Sequence, residues 1–349
     1  MAKDKALINL GLLIMMMSSL SSLQLGDARE QNTEKIDFKD LTLVQDFILG
    51  DSKNEIFLLP VSIATDNSRR IYVADREKNS VLLFSKEGTY IQSLSGDKKE
   101  NFRLKRPALI GIDLDGTLYV VEISRTSQKV VAISKEHKVL RSFALPFPPG
   151  KVSLSNEALF VNSKSSEYNI YKYSKEGKLV AQYDHVLNME EEKARTSFAL
   201  DVKGNLYLAR TFIPKVKILA PDGKELSSFD YRPTIANQQL PIQLIQTYGA
   251  RRGNQLGFTV QSREYPVCYD ISVDRYGFLY LLVAQDHEQP GLCALWRFDP
   301  EGKFIYKADL PFRCGRIYID QYDEFIFVGT SAAPAVYCYH AERLEKERG

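Results

Sequence analysis

The residues best placed to do chemistry are arginines near the ends of short β-rich runs. Arg76, Arg125 and Arg210 hold such places, and Arg251 and Arg252 stand beside Tyr248 in a longer polar stretch. A guanidinium offers a planar fork of N–H donors, so arginines in these places suit carboxylate or sulfate-like groups. Without a ligand the same residues are solvated loop charges, and both readings stay open. Glu122 and His287 complete the candidate set, His287 lying between Asp286 and Glu288. Of the four histidines, His137 and His340 fall in turns and His185 follows a strand, which leaves His287 alone in a suitable loop. One histidine cannot build a multi-histidine zinc site. No G-x-S-x-G, phosphate loop or histidine-paired nucleophile is present. The pattern therefore favours binding over catalysis and calls for no cofactor.

The elements that position these residues recur. Tyr72, Tyr119, Phe160, Tyr207, Tyr280 and Ile326 each sit in the middle of an apolar β-rich phrase, 41 to 47 residues apart except for one interval of 73. Asp66, Asp113, Asp201, Asp274 and Asp320 end the preceding run, where a carboxylate suits turn hydrogen bonding better than repeated catalysis. Turns such as Lys86-Glu87-Gly88, Lys175-Glu176-Gly177 and Pro221-Asp222-Gly223 separate the third run from the fourth. Lys86, Lys135 and Lys175 in those turns read as idle solvated charges. Six copies of a four-stranded unit at this period, with no helical pattern between them, predict an all-β, six-bladed β-propeller of antiparallel blades. The last copy lacks a fourth strand, and Leu41–Leu49 resembles one, so the N-terminal strand is expected to close the last blade and remove exposed edges.

The first copy, with Pro60, Asp66, Ile71-Tyr72-Val73-Ala74-Asp75, Asn79, Val81, Phe84 and Gly88, resembles the NHL-repeat six-bladed propellers. Gly116, Gly204 and Gly277 hold the family's glycine before the second strand, and Arg69, Glu157 and Asp323 replace it elsewhere. The likeness covers roughly residues 39–340. It implies a scaffold that hosts both binding proteins and enzymes. Lactonase-like members hold a hard cation with converging Glu, Asn and Asp. The matching positions here are Asp75, Glu122, Ser163, Arg210, Val283 and Gly329, and the last three break that ring.

The 349 residues can bury a large core as one domain. A net charge of +2 is too balanced to imply a nucleic-acid partner. Lys3 and Lys5, the apolar run Ala6 to Met17, and small Gly26 and Ala28 predict a signal peptide over 1–28, with an uncleaved anchor as the rival. A flexible lead-in over 29–38, a propeller over 39–342 with an insertion near 231–266, and a charged tail over 343–349 follow. Excess length of that kind is commonly a functional loop. Cys268, Cys293, Cys314 and Cys338 follow the blade period, which leaves disulfides and buried thiols both open. The expectation is an exported, monomeric, non-catalytic module that binds an unidentified protein or a small anion through its blade-connecting loops. A metal-dependent hydrolase or lyase on the same scaffold is the alternative.

Overall fold

Runs of Val, Ile, Tyr and Phe bounded by Asp- and Gly-bearing turns favour pleated, half-buried strands. In the computed structural model every regular element among the described residues is a strand. Those residues are 35–38, 40–50, 56–57, 59–95, 103–163, 167–185, 196–211, 213–231, 243–248, 258–263, 268–284, 292–329 and 334–343. The chain enters through β1 (Lys35–Asp37) and β2 (Leu41–Leu49). Four four-stranded antiparallel sheets come next. The first holds β3 (Pro60–Thr65), β4 (Ile71–Asp75), β5 (Ser80–Phe84) and β6 (Tyr90–Leu94). The second holds β7 (Pro107–Ile112), β8 (Leu118–Ile123), β9 (Gln128–Ile133) and β10 (Val139–Leu145). The third holds β11 (Pro149–Leu154), β12 (Ala158–Ser163), β13 (Tyr168–Ser174) and β14 (Leu179–His185). In the fourth are β15 (Thr196–Leu200), β16 (Leu206–Arg210), β17 (Ile213–Leu219) and β18 (Glu225–Asp230).

The insertion contributes β19 (Gln243–Tyr248) and β20 (Phe258–Arg263), which among the described residues pair only with each other. The remaining strands are β21 (Cys268–Val273), β22 (Leu279–Ala284), β23 (Leu292–Phe298), β24 (Phe304–Ile319), β25 (Phe325–Gly329) and β26 (Val336–Arg343). They join β1 and β2 in one run ordered β1-β2-β26-β25-β24-β23-β22-β21. The 16-residue β24 pairs with β23 through its first half and with β25 through its second. The expected N-terminal strand is β2, which pairs with β26 from Leu41 opposite Arg343 to Leu49 opposite Val336. Lys35–Asp37 is not a loose lead-in: it pairs with β2 as an outer strand.

The repeating aspartates do what turn chemistry requires. Asp66 accepts from the amides of Ser68 and Arg70, and Asp113, Asp201, Asp274 and Asp320 each accept from the amides two and four residues on. Their second oxygens take the hydroxyls of Tyr72, Tyr119 and Tyr280 in three of the copies. The turn needs a left-handed residue, so Arg69 and Asp323 adopt φ of 62° and 60° where other copies use glycine. A second device couples neighbouring sheets. A Cβ built on Gly177 would lie 2.4 Å from the ring of Phe143 on β10, and the pairs Gly88–Phe47, Gly223–Tyr183 and Gly302–Phe229 repeat the contact. In the remaining sheet pair His137 replaces the glycine with φ 63°, and Gln92 hydrogen-bonds its ring instead.

Candidate functional site

The first strand of each sheet lines a shared channel. Its walls come from β3, β7, β11, β15, β21 and the second half of β24, around a cavity of about 160 Å³. By strand register, Ser62, Leu109, Lys151, Ser197, Asp270 and Arg316 occupy one level of this channel. Asp270 is 1 % exposed, and its carboxylate accepts four hydrogen bonds. Lys151 Nζ donates to Oδ1 at 2.7 Å, the Ser197 hydroxyl and the Ile271 amide donate to the same oxygen at 2.5 and 3.0 Å, and the Ile317 amide reaches Oδ2 at 3.2 Å. The Arg316 guanidinium stands 3.9 Å away. Burial works against the Asp270 charge, but Lys151 and Arg316 outweigh it and hold the carboxyl below its ordinary range. Burial likewise pulls Lys151 down, with Asp270 opposing.

Arg316 leads from this level to the mouth. Its Nη2 donates to the Gly150 carbonyl at 2.9 Å, and it lines a second cavity of about 240 Å³ with Arg76. The walls of this second cavity are mostly apolar: Leu59, Val61, Leu109, Ile123, Val328 and Pro334. Arg76 is half-buried, and its Nε is buried with no hydrogen-bond partner. Burial first, then Arg106 and Arg316, pull Arg76 below its ordinary value, while Glu77 opposes them. Arg106 has Glu77 at 3.4 Å. Arg76 and Arg316 thus line one cavity, and Arg316 also stands beside the buried Asp270 that Lys151 pairs. Like charges gathered beside a half-buried cavity favour an anion in it.

Of the expected site residues, Arg76 is the one the structure brings into this cavity. Glu122 is 4 % exposed and engaged: it accepts from the Lys105 amide at 2.9 Å and pairs with Lys129 at 3.1 Å. Asp75 accepts from the Leu59 and Lys78 amides, and Asn162 from those of Gly150 and Lys151. The side chains at the ends of these second strands therefore tie down the incoming chain. Arg210 is not an open loop charge, since it lies 3.6 Å from Asp184, which Lys217 also pairs at 2.6 Å. With Lys215 they line a separate cavity of about 200 Å³. Arg125 is exposed in the turn after β8. Tyr248 ends β19 opposite Phe258. Arg251, Arg252 and His287 lie outside the described residues. Lys175 is no idle turn charge either: it pairs with Asp113 at 2.9 Å in the preceding sheet. All four cysteines are buried thiols, and none is in a disulfide.

Loop-centred reasoning missed Lys151, Asp270 and Arg316 because they sit on first strands. The signal was present: each lies nine or ten residues before the second-strand residues Phe160, Tyr280 and Ile326. A charge at that place, where other copies carry Ser62, Leu109 and Ser197, departs from the repeat.

No protein-family model matches the chain, and no curated protein does. Solved structures do. A gluconolactonase from Xanthomonas campestris matches with a TM-score of 0.53 at 12% identity, covering 90% of this chain and 96% of that one. A member of the duf4221 family from Bacteroides vulgatus gives 0.58 at 10% identity, covering 88% and 100%. The virginiamycin B lyase of Staphylococcus aureus gives 0.51 at 13%, covering 88% and 89%. With four-stranded antiparallel sheets ranged around a channel, the chain has a β-propeller fold. At these identities the likeness defines the scaffold, and the function rests on the site.

Proposed function

We propose that this chain is an exported, six-bladed propeller of the NHL type that binds a small anion at the mouth of its channel without transforming it. Dividing β24 between two blades supports the count of six, with β2 as the last blade's outer strand and β1 added outside it. The basic, apolar and small residues of 1–28 support export. The observation that carries the binding reading is the Arg76–Arg316 cavity, which two guanidiniums line and where Arg76 keeps a buried Nε without a hydrogen-bond partner. The test is calorimetric titration with phosphate, sulfate and carboxylates at low salt. Arg76→Ala and Arg316→Ala should each weaken binding by about 1–3 kcal/mol, whereas Lys86→Ala and Lys135→Ala, in turns at the other end of the strands, should change nothing. Affinity that ignores both arginines sinks this reading.

A hydrolase or lyase on the same scaffold is the second reading, favoured by the gluconolactonase and lyase that overlay most of the chain. Asp75 and Glu122, its leading carboxylates, are turned to backbone amides here. Stoichiometric calcium or zinc retained through gentle purification would shift the assignment to it.

A further inference from the structure

We infer that the mouth cavity is built for an amphipathic carboxylate: one anionic head on the Arg76–Arg316 side and an apolar body of about seven heavy atoms along the apolar wall. This rests on the anion-binding reading above and adds the ligand's chemical class. The wall is the reason. A site for a small hydrated anion such as phosphate is lined by polar donors, yet apolar residues, Leu59, Val61, Leu109, Ile123 and Val328 among them, make most of this one. Ligand pockets that are mostly apolar with a few convergent polar groups take ligands of the same division. Leu59 points the same way, since it is 38% exposed at the rim in a chain that has ample core to bury it. Covering it with a ligand body removes that surface from water.

The head is specified by its surroundings. Arg76 retains a buried, unpartnered Nε, and Arg316, which also lines the cavity, directs Nη2 to the Gly150 carbonyl and has Nη1 3.9 Å from Asp270. A carboxylate accepts two parallel N–H bonds from one guanidinium and leaves lone pairs for the other. Burial, Arg106 and Arg316 lower Arg76's tolerance for charge, and a negative group in the cavity relieves it. An apolar cavity of about 150 Å³ accommodates a six-atom ring. By that proportion a 240 Å³ cavity holds about ten heavy atoms, the size of octanoate or phenylacetate.

The experiment titrates the full exported chain with octanoate, phenylacetate, acetate, octanol and inorganic phosphate. Octanoate or phenylacetate should bind at least about a hundredfold tighter than acetate, because each buried methylene contributes about fourfold. Octanol should bind at least tenfold more weakly than octanoate. Leu59→Ser, at the exposed rim, should weaken octanoate about tenfold and leave phosphate unchanged, while Arg76→Gln should weaken both. Equal affinity for acetate and octanoate, or phosphate as the tightest ligand, overturns the amphipathic class and leaves anion binding standing. If octanol binds as well as octanoate and Arg76→Gln has no effect on any probe, anion binding itself fails.

Discussion

Lys151 Nζ and the Asp270 carboxylate meet at 2.7 Å across the channel from strands 119 residues apart in the chain. The pair couples the third sheet to the strand run that ends the chain, and Ser197 and Ile317 draw the intervening strands into it. Removing one partner of a buried pair leaves the other charge uncompensated. Asp270→Ala should therefore cost about 3–5 kcal/mol in urea unfolding. Asp270→Ala with Lys151→Met should recover much of that loss. An equal loss in single and double variants would show that the pair itself contributes nothing. The depressed Asp270 pKa makes this stabilisation present above the ordinary carboxylate range and lost as the pH falls through the folded value.

Asp320 behaves in the opposite sense. Burial pushes its carboxyl up to about 6, against the amide of Tyr322 and the charge of Arg69. The folded protein thus holds this proton more tightly than the unfolded chain does. Its contribution is complete below about pH 4 and is lost as the pH rises through about 6. Asp320→Asn should gain on the wild type by up to about 3 kcal/mol between pH 4 and pH 7. A stability difference that stays flat over that range would contradict the assignment.

The pairing of β2 with β26 makes a circular domain depend on its N-terminal strand. Deleting residues 39–50 exposes the whole edge of β26 and strips Phe47 from Gly88. Deleting 344–349 leaves every described strand in place. Thermal midpoints should fall sharply for the first truncation and hardly move for the second.

Tyr119 is fully buried and Tyr207 nearly so, at matching places in their sheets. Alanine at either should cost about 3–5 kcal/mol, as large aromatic truncations do. A loss below about 0.5 kcal/mol would place the side chain at the surface.

Gly177 serves two purposes at once, a φ of 89° and close approach to Phe143. Gly177→Ala should destabilise by at least about 1 kcal/mol from backbone strain, with more from the ring. Adding Phe143→Ala should make the second cost non-additive. Strict additivity in the four-variant cycle would mean that the ring and the turn do not press on each other.

The repeated strands, their turns and the closing strand were legible in the amino-acid sequence because each depends on local chemistry. An aspartate that caps amides two and four residues on, a left-handed turn residue and an alternating β-branched run need no distant partner. Even the exceptions were visible, with Arg69, Asp323 and His137 standing where glycine belongs and taking its conformation. The loop arginines were a different matter. The local pattern that marked Arg76 and Arg210 as equivalents could not tell that one faces a cavity beside Arg316 while the other is tied to Asp184. Nor could it tell that Glu122 is spent on the Lys105 amide. Lys151, Asp270 and Arg316 stand out from the repeat as charges, but they become a site only when the sheets curve round to one channel. Convergence of that kind is set by sheet twist and ring closure, which act between residues far apart in the chain, so the tertiary structure alone decided it.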